Sequence, residues 1–105
     1  METLTFEFPG RQSPRPGRSG TVVGVVASGN LEVMVEHADL GGRCRVVVNT
    51  AAHGFGDTWR AVLADFSRRH DLADVLLSIN DAGATPAVVS LRLDQAVEEF
   101  YEGQP

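Results

Sequence analysis

In three segments of its first half, up to Thr50, this chain places apolar residues at every second position. That alternation constrains the fold more than any other feature. Leu4, Phe6 and Phe8 alternate with polar residues; Leu31, Val33 and Val35 share one face, as do Cys44, Val46 and Val48, with Arg43, Arg45 and Val47 on the opposite face. The run 21–27 does not alternate, but its richness in valine reads as a further strand. A period of two marks strands with one buried face. Pro9-Gly10 stops the first run, and Asp39-Leu40-Gly41-Gly42 makes a turn before the strand expected at 43–50. Between the runs at 21–27 and 31–36 stands Ser28-Gly29-Asn30, small and turn-prone, so these two strands are expected to form a hairpin.

Beyond Thr50 the period changes. Trp59, Val62, Leu63 and Phe66 fall at i, i+3, i+4 and i+7, the stripe of an amphipathic helix. Asp57 is placed to cap it, and Arg68-Arg69-His70 puts positive charge in its last turn. Val75-Leu76-Leu77 centres a strand over 74–80. The final segment supports two readings: Val89, Leu91 and Leu93 alternate like a strand, while Val89, Leu93, Ala96, Val97 and Phe100 share a helical stripe. Thr85-Pro86 is a good cap and first-turn pair, so a helix is expected over about 86–101. The order β-β-β-β-α-β-α implies an α+β fold. The expected form is a two-layer sandwich, a mostly antiparallel sheet of four to five strands with two helices on one face.

A chain of 105 residues makes one domain, 1–105, with a flexible loop expected at 10–20 and a loose tail at Gly103-Gln104-Pro105. It can bury one compact core but hardly a deep cleft as well. No apolar run reaches the roughly 20 residues that span a bilayer. Glu2 near the start, without a basic segment, is unlike a secretory signal, and a single cysteine cannot form an internal disulfide. These features point to the cytoplasm. A net charge of −5 argues against nucleic-acid binding and suits docking to basic partner surfaces. Arg11, Arg15 and Arg18 in the 10–20 loop could meet a phosphate or a partner, but a solvated loop is the simpler reading.

Few residues form a chemical constellation. His37, His53, His70 and Cys44 have no metal-ligand spacing, and Cys44 on a strand face reads as a small buried hydrophobe. Gly54-Phe55-Gly56 precedes a helix but lacks a third glycine and a lysine, so it reads as a chain reversal rather than a phosphate cradle. Glu98, Glu99 and Glu102 read as a solvated helix face. Asp81, in Asn80-Asp81-Ala82-Gly83-Ala84, reads as a bonder of local backbone amides, and Trp59 as a core anchor. Ser28 sits at a hairpin tip with no Ser-His-Asp or Ser-Lys partner, so it makes a poor nucleophile; another enzyme could modify it there, but on the residues alone it reads as an ordinary turn serine.

The stretch Gly24-Val25-Val26-Ala27-Ser28-Gly29-Asn30-Leu31-Glu32-Val33 resembles the attachment region of the acyl carrier (delta) subunit of malonate decarboxylase. Met1-Glu2-Thr3-Leu4 with Phe6 and Phe8 is similar to the same family. So are Asn80-Asp81-Ala82-Gly83-Ala84-Thr85-Pro86-Ala87-Val88-Val89 and Leu91-Arg92-Leu93-Asp94-Gln95-Ala96. A more distant likeness is to the citrate lyase acyl carrier (gamma) subunit. The resemblance implies a non-catalytic carrier for malonate catabolism. Ser28 would carry 2'-(5''-phosphoribosyl)-3'-dephospho-CoA through a phosphodiester, making the chain a phosphoprotein, with Gly29 and Asn30 completing the attachment turn. Asn30 stands where many relatives have Asp. The implied partners are an alpha (acyltransferase) subunit, a beta/gamma (carboxy-lyase) pair and a prosthetic-group transferase, the holo-carrier synthase. In this arrangement malonyl and acetyl thioesters ride on the carrier while the partners exchange and decarboxylate them. The helical carriers of fatty-acid synthesis have an Asp-Ser-Leu motif at their serine, and this chain has none.

Overall fold

The computed structural model describes residues 1–11, 24–28 and 30–102, with the side chains of 24–28, 101 and 102 outside the description. Among the described residues, five strands and two helices follow in the expected order: β1 (Glu2–Pro9), β2 (Gly24–Ser28), β3 (Leu31–His37), β4 (Arg43–Thr50), α1 (Gly56–His70), β5 (Val75–Asp81) and α2 (Pro86–Glu102). The strands form one sheet in the order β1-β4-β5-β3-β2. All neighbours pair antiparallel except β4 and β5, which α1 joins and which run parallel. A parallel pair needs such a crossover, because its strands start at the same end of the sheet.

Period-two patterning decides which sheet face is buried. Leu31, Val33 and Val35 of β3, Cys44, Val46 and Val48 of β4, and Val75, Leu77 and Ile79 of β5 are all buried. They meet Trp59, Leu63 and Phe66 of α1 and Val89, Leu93, Ala96, Val97 and Phe100 of α2 in one core. Phe6 is buried from β1, while Leu4 and Phe8 are half-buried against the same core. Both helices therefore cover one face, and the fold is the α+β two-layer sandwich read from the sequence.

The ambiguous last segment is helical. Val89 and Leu93 are buried but Leu91 is 51% exposed, so the alternating reading put one residue on the wrong side. Thr85 Oγ1 accepts a bond from Val88 N at 3.3 Å, the expected cap. The start of α1 differs from expectation. Phe55 occupies the cap position without a side-chain cap bond, and Asp57 lies inside the first turn. Gly54, at φ 85°, reverses the chain and lets the helix begin at Gly56, earlier than the apolar stripe suggests. Asp57 still favours the helix, through its charge near the positive end of the dipole. Of the predicted 21–27 strand, residues 21–23 lie outside the described residues, as do 12–20 of the predicted loop and the 103–105 tail.

Candidate functional site

One row of register partners runs across the whole sheet at one end: Glu2 on β1, Thr50 on β4, Asp81 on β5, Leu31 on β3 and Ser28 on β2. Ser28 is the last residue of β2, an edge strand, and pairs with Leu31 across the hairpin. Gly29 lies outside the described residues. Asn30 is exposed, and its carbonyl accepts a bond from Ala82 N at 2.8 Å. The loop after β5 is thereby tied to the loop after Ser28.

Asp81 organises this end. It is 8% exposed, and both of its carboxylate oxygens accept hydrogen bonds. Oδ2 accepts the Thr50 hydroxyl at 2.9 Å; Oδ1 accepts the backbone amides of Gly83 at 3.2 Å and Ala84 at 2.8 Å. Its carbonyl accepts Ala51 N at 2.9 Å, and Thr50 Oγ1 in turn accepts Ala52 N at 3.1 Å. A buried carboxylate is tolerable only with such partners. The amide-bonding role read for Asp81 is what the geometry shows. Thr50, fully buried, was missed in the sequence. Its signal was parity: it continues the buried set Cys44, Val46 and Val48, so a hydroxyl had to be buried and needed a partner.

Depressions flank the row. On the helix side, a groove of about 420 Å³ opens between the first turns of α1 and α2. Phe55, Trp59 and Val62 line one wall, Pro86 and Val89 the other, with Thr50 and Asp81 at its floor. Phe55 leaves half its surface, 52%, to solvent. On the open sheet face a shallower hollow of about 270 Å³ lies against Asn30, Leu31, Glu32 and Asn80. Next to it, side chains link four strands: Thr3 donates to Asn49 at 2.8 Å, Asn49 to Asn80 at 3.4 Å, and Asn80 to Glu32 at 3.1 Å.

The remaining candidate residues lie elsewhere. Cys44 is buried, and burial pushes its thiol up to about 12, so it is held as an inert thiol. His37 and His53 are exposed. His70 Nε2 lies 2.8 Å from Asp94 Oδ1, which also accepts Arg69 at 2.7 Å, in a polar contact between the helices. Among the described residues no group of histidine, cysteine, aspartate and glutamate is arranged to hold a metal ion. Glu98 and Glu99 are exposed, and the Glu102 side chain lies outside the description. Arg11 is exposed, with Nε 3.9 Å from Asp71 Oδ2; Arg15 and Arg18 lie outside the described residues. Among the described residues no helix is long and apolar enough to cross a membrane.

The chain is thus an α+β two-layer sandwich in which Asp81 ties the end of β4 and the loop after β5 together and Ser28 ends an edge strand. The comparisons with known proteins make the class specific. Residues 18–100 match the family model of the malonate decarboxylase delta subunit, and the chain belongs to that family. The malonate decarboxylase acyl carrier protein of Xanthomonas campestris pv. campestris is 60% identical over 98 residues, covering 93% of each chain. That of Stenotrophomonas maltophilia is 57% identical over 105 residues, covering 100% of this chain and 99% of the relative. Among solved structures, a chain from a crystal structure of a Pseudomonas malonate decarboxylase hetero-tetramer in complex with malonate superposes with a TM-score of 0.75. It is 38% identical, and the match covers 94% of this chain and 98% of that one.

Proposed function

We propose that this chain is the acyl carrier subunit of a malonate decarboxylase and that Ser28 is the attachment point of its phosphoribosyl-dephospho-CoA group. The observation that carries the reading is the position of Ser28, at the end of an edge strand in a chain of the delta-subunit family. A phosphodiester needs a hydroxyl, and a bulky substituent needs a place outside the packed core. Residue 28 has a neighbouring strand on one side only and is followed by an exposed turn residue, Asn30. The residues present therefore fit such a group. When attached, the group supplies a terminal thiol that holds malonyl or acetyl as a thioester.

The chain's own contribution is mechanical. Residue 28 is anchored through the β2–β3 pairing to Leu31, and Leu31 through β5 to Asp81 and its amide bonds. The base of the arm is held while the arm remains free, and tethering raises the local concentration of the bound acyl group at each partner site. Acyl exchange by an alpha subunit, decarboxylation by a beta/gamma pair and loading by a holo-carrier synthase belong to partners. The related hetero-tetramer supports a multi-subunit setting. A cytoplasmic location is part of the same reading, supported by the lone buried cysteine.

The test is intact mass after co-expression with the modifying transferase. Wild type is expected to gain the mass of the CoA-derived group, and Ser28→Ala to gain nothing. An equal gain in both would move the site elsewhere.

A further inference from the structure

A groove opens to solvent between the first turns of α1 and α2, at the same end of the sheet as Ser28. Its walls are apolar, with Phe55 half exposed and Trp59, Val62, Pro86 and Val89 around it. A side chain such as Phe55 leaves water favourably only when something covers it. Thr58, exposed on the first turn of α1, adds a hydroxyl at the rim, able to donate and accept. At the floor, the Asp81 oxygens are already engaged with Thr50, Gly83 and Ala84. A small ligand of amide and short-acyl character matches this lining; a strongly anionic one would meet the Asp81 carboxylate.

The register row states what lies within reach. Asp81, at the groove floor, pairs with Leu31, and Leu31 pairs with Ser28. Two strand spacings separate Ser28 from Asp81, about 10 Å. A group that joins a ribosyl phosphate, a nucleotide and a pantetheine chain end to end is longer than that.

We infer that this groove is a resting site for the pantetheine end of the arm carried on Ser28, and that it shelters the thiol or its acetyl thioester between visits to partner subunits. The inference rests on the proposed attachment at Ser28. Trp59 is the chain's single tryptophan and lines the groove, so tryptophan emission has one source, beside the proposed resting site. Cys44 is the single cysteine and is buried with a raised pKa, so alkylation of the native protein reports the arm's thiol.

The experiment compares apo and holo protein after intact mass has shown the load on Ser28. Loading is expected to shift the Trp59 emission and to protect Trp59 from acrylamide. Iodoacetamide is expected to alkylate the arm several-fold more slowly than free CoA. Thr58→Phe fills the rim from an exposed position, and Phe55→Ala removes a wall; each should abolish the Trp59 difference and bring alkylation to the free-CoA rate. A thermal melt of each apo variant establishes that it folds. Free acetyl-CoA added to apo protein should reproduce the Trp59 shift only at high concentration, since it lacks the tether. If loading is complete but Trp59 and the alkylation rate do not change, the groove does not hold the arm and the Ser28 assignment still stands. A Trp59 response that needs partner subunits instead of the arm would overturn the inference in favour of a docking contact. Absence of any load on Ser28 would overturn the proposed function itself.

Discussion

The two ends of the sheet solve the same problem with the same residue type and then diverge. At the Ser28 end, Asp81 closes β5 and gathers Thr50 and the amides of Gly83 and Ala84. At the other end Asp74 stands just before β5, at φ 57°, and its Oδ1 accepts the amides of Leu40 at 3.1 Å and Gly42 at 2.9 Å. Asp74 N also donates to Arg43 O at 2.8 Å, and its carbonyl accepts Ala38 N at 3.0 Å. Each aspartate pins a loop to the central strand. The difference lies in what surrounds them. The Asp74 end is packed shut: Gly10 passes so near α1's exit that a Cβ there would lie 1.7 Å from the Leu72 carbonyl oxygen. The Asp81 end carries a 420 Å³ groove and the Ser28 turn. The carboxylates are thus scaffolding at both ends, and what distinguishes the Asp81 end is the proposed attachment serine and an opening.

The largest expected effect separates function from stability at the Ser28 end. Ser28→Ala should lose all covalent loading and, in the assembled complex, all malonate-dependent turnover. Its denaturation midpoint should move little, with a free-energy change of about 0.5 kcal/mol or less, the size expected when a substitution removes no packing or buried hydrogen bond. Intact mass and a urea melt measure the two. A large loss of stability would mean that Ser28 is part of the scaffold, and the contrast between the ends would weaken.

The next effect belongs to the closed end. Gly10→Ala places a methyl against backbone atoms of Leu72 and Ala73, which cannot rotate away as a side chain would. Strain of this kind costs about 1–3 kcal/mol. Loading of Ser28 in the folded fraction should be unchanged. A melt matching wild type would mean that the β1 exit and the Leu72 segment move apart easily, and that this end is not closed.

The aspartates allow a direct test of equivalence. Asp81→Ala and Asp74→Ala each strip partners from several amides, and each should cost about 2–3 kcal/mol in a urea melt. Neither should alter loading per folded molecule by more than its stability loss explains. A loss of complex activity in Asp81→Ala far beyond the unfolded fraction would give Asp81 a chemical role and break the parallel.

The strands were legible because half-buried sheets write their register into alternation, and β4 was read over the residues it occupies, Arg43–Thr50. The α2 stripe was legible for the same reason, once Thr85-Pro86 settled its type. The start of α1 was not, because a glycine at φ 85° lets the chain turn early, and only the observed backbone shows that Gly54 is used so. The row joining Ser28 to Asp81 was also illegible. Register between β2, β3 and β5 depends on which strands become neighbours, and α1 separates β4 from β5 in the chain while the sheet brings them together. The groove arises only where two helix starts meet above that row. Ser28 itself needed a likeness to known carriers, since an isolated turn serine carries no pattern of its own.

The smallest expected effect sits midway between the ends, where Asp94 of α2 meets Arg69 and His70 of α1. Partial burial pushes the Asp94 carboxyl up, but the bonds from His70 and Arg69 outweigh it and hold it below its usual 3.8. In the unfolded chain Asp94 takes up its proton at that ordinary value, and in the folded chain only at lower pH. Between the two values the unfolded state binds more protons, so acid favours unfolding. The contribution is therefore complete above the ordinary carboxylate range and is lost as pH falls through the depressed folded value. Because the pair is partly solvated, its worth at neutral pH is below about 1 kcal/mol. Asp94→Asn should lower stability slightly at pH 7 and flatten the acid limb of a stability profile, with both curves converging at low pH. If the two profiles stay parallel through the acid range, the helix–helix contact is held by the apolar stripe alone and the ion pair adds nothing.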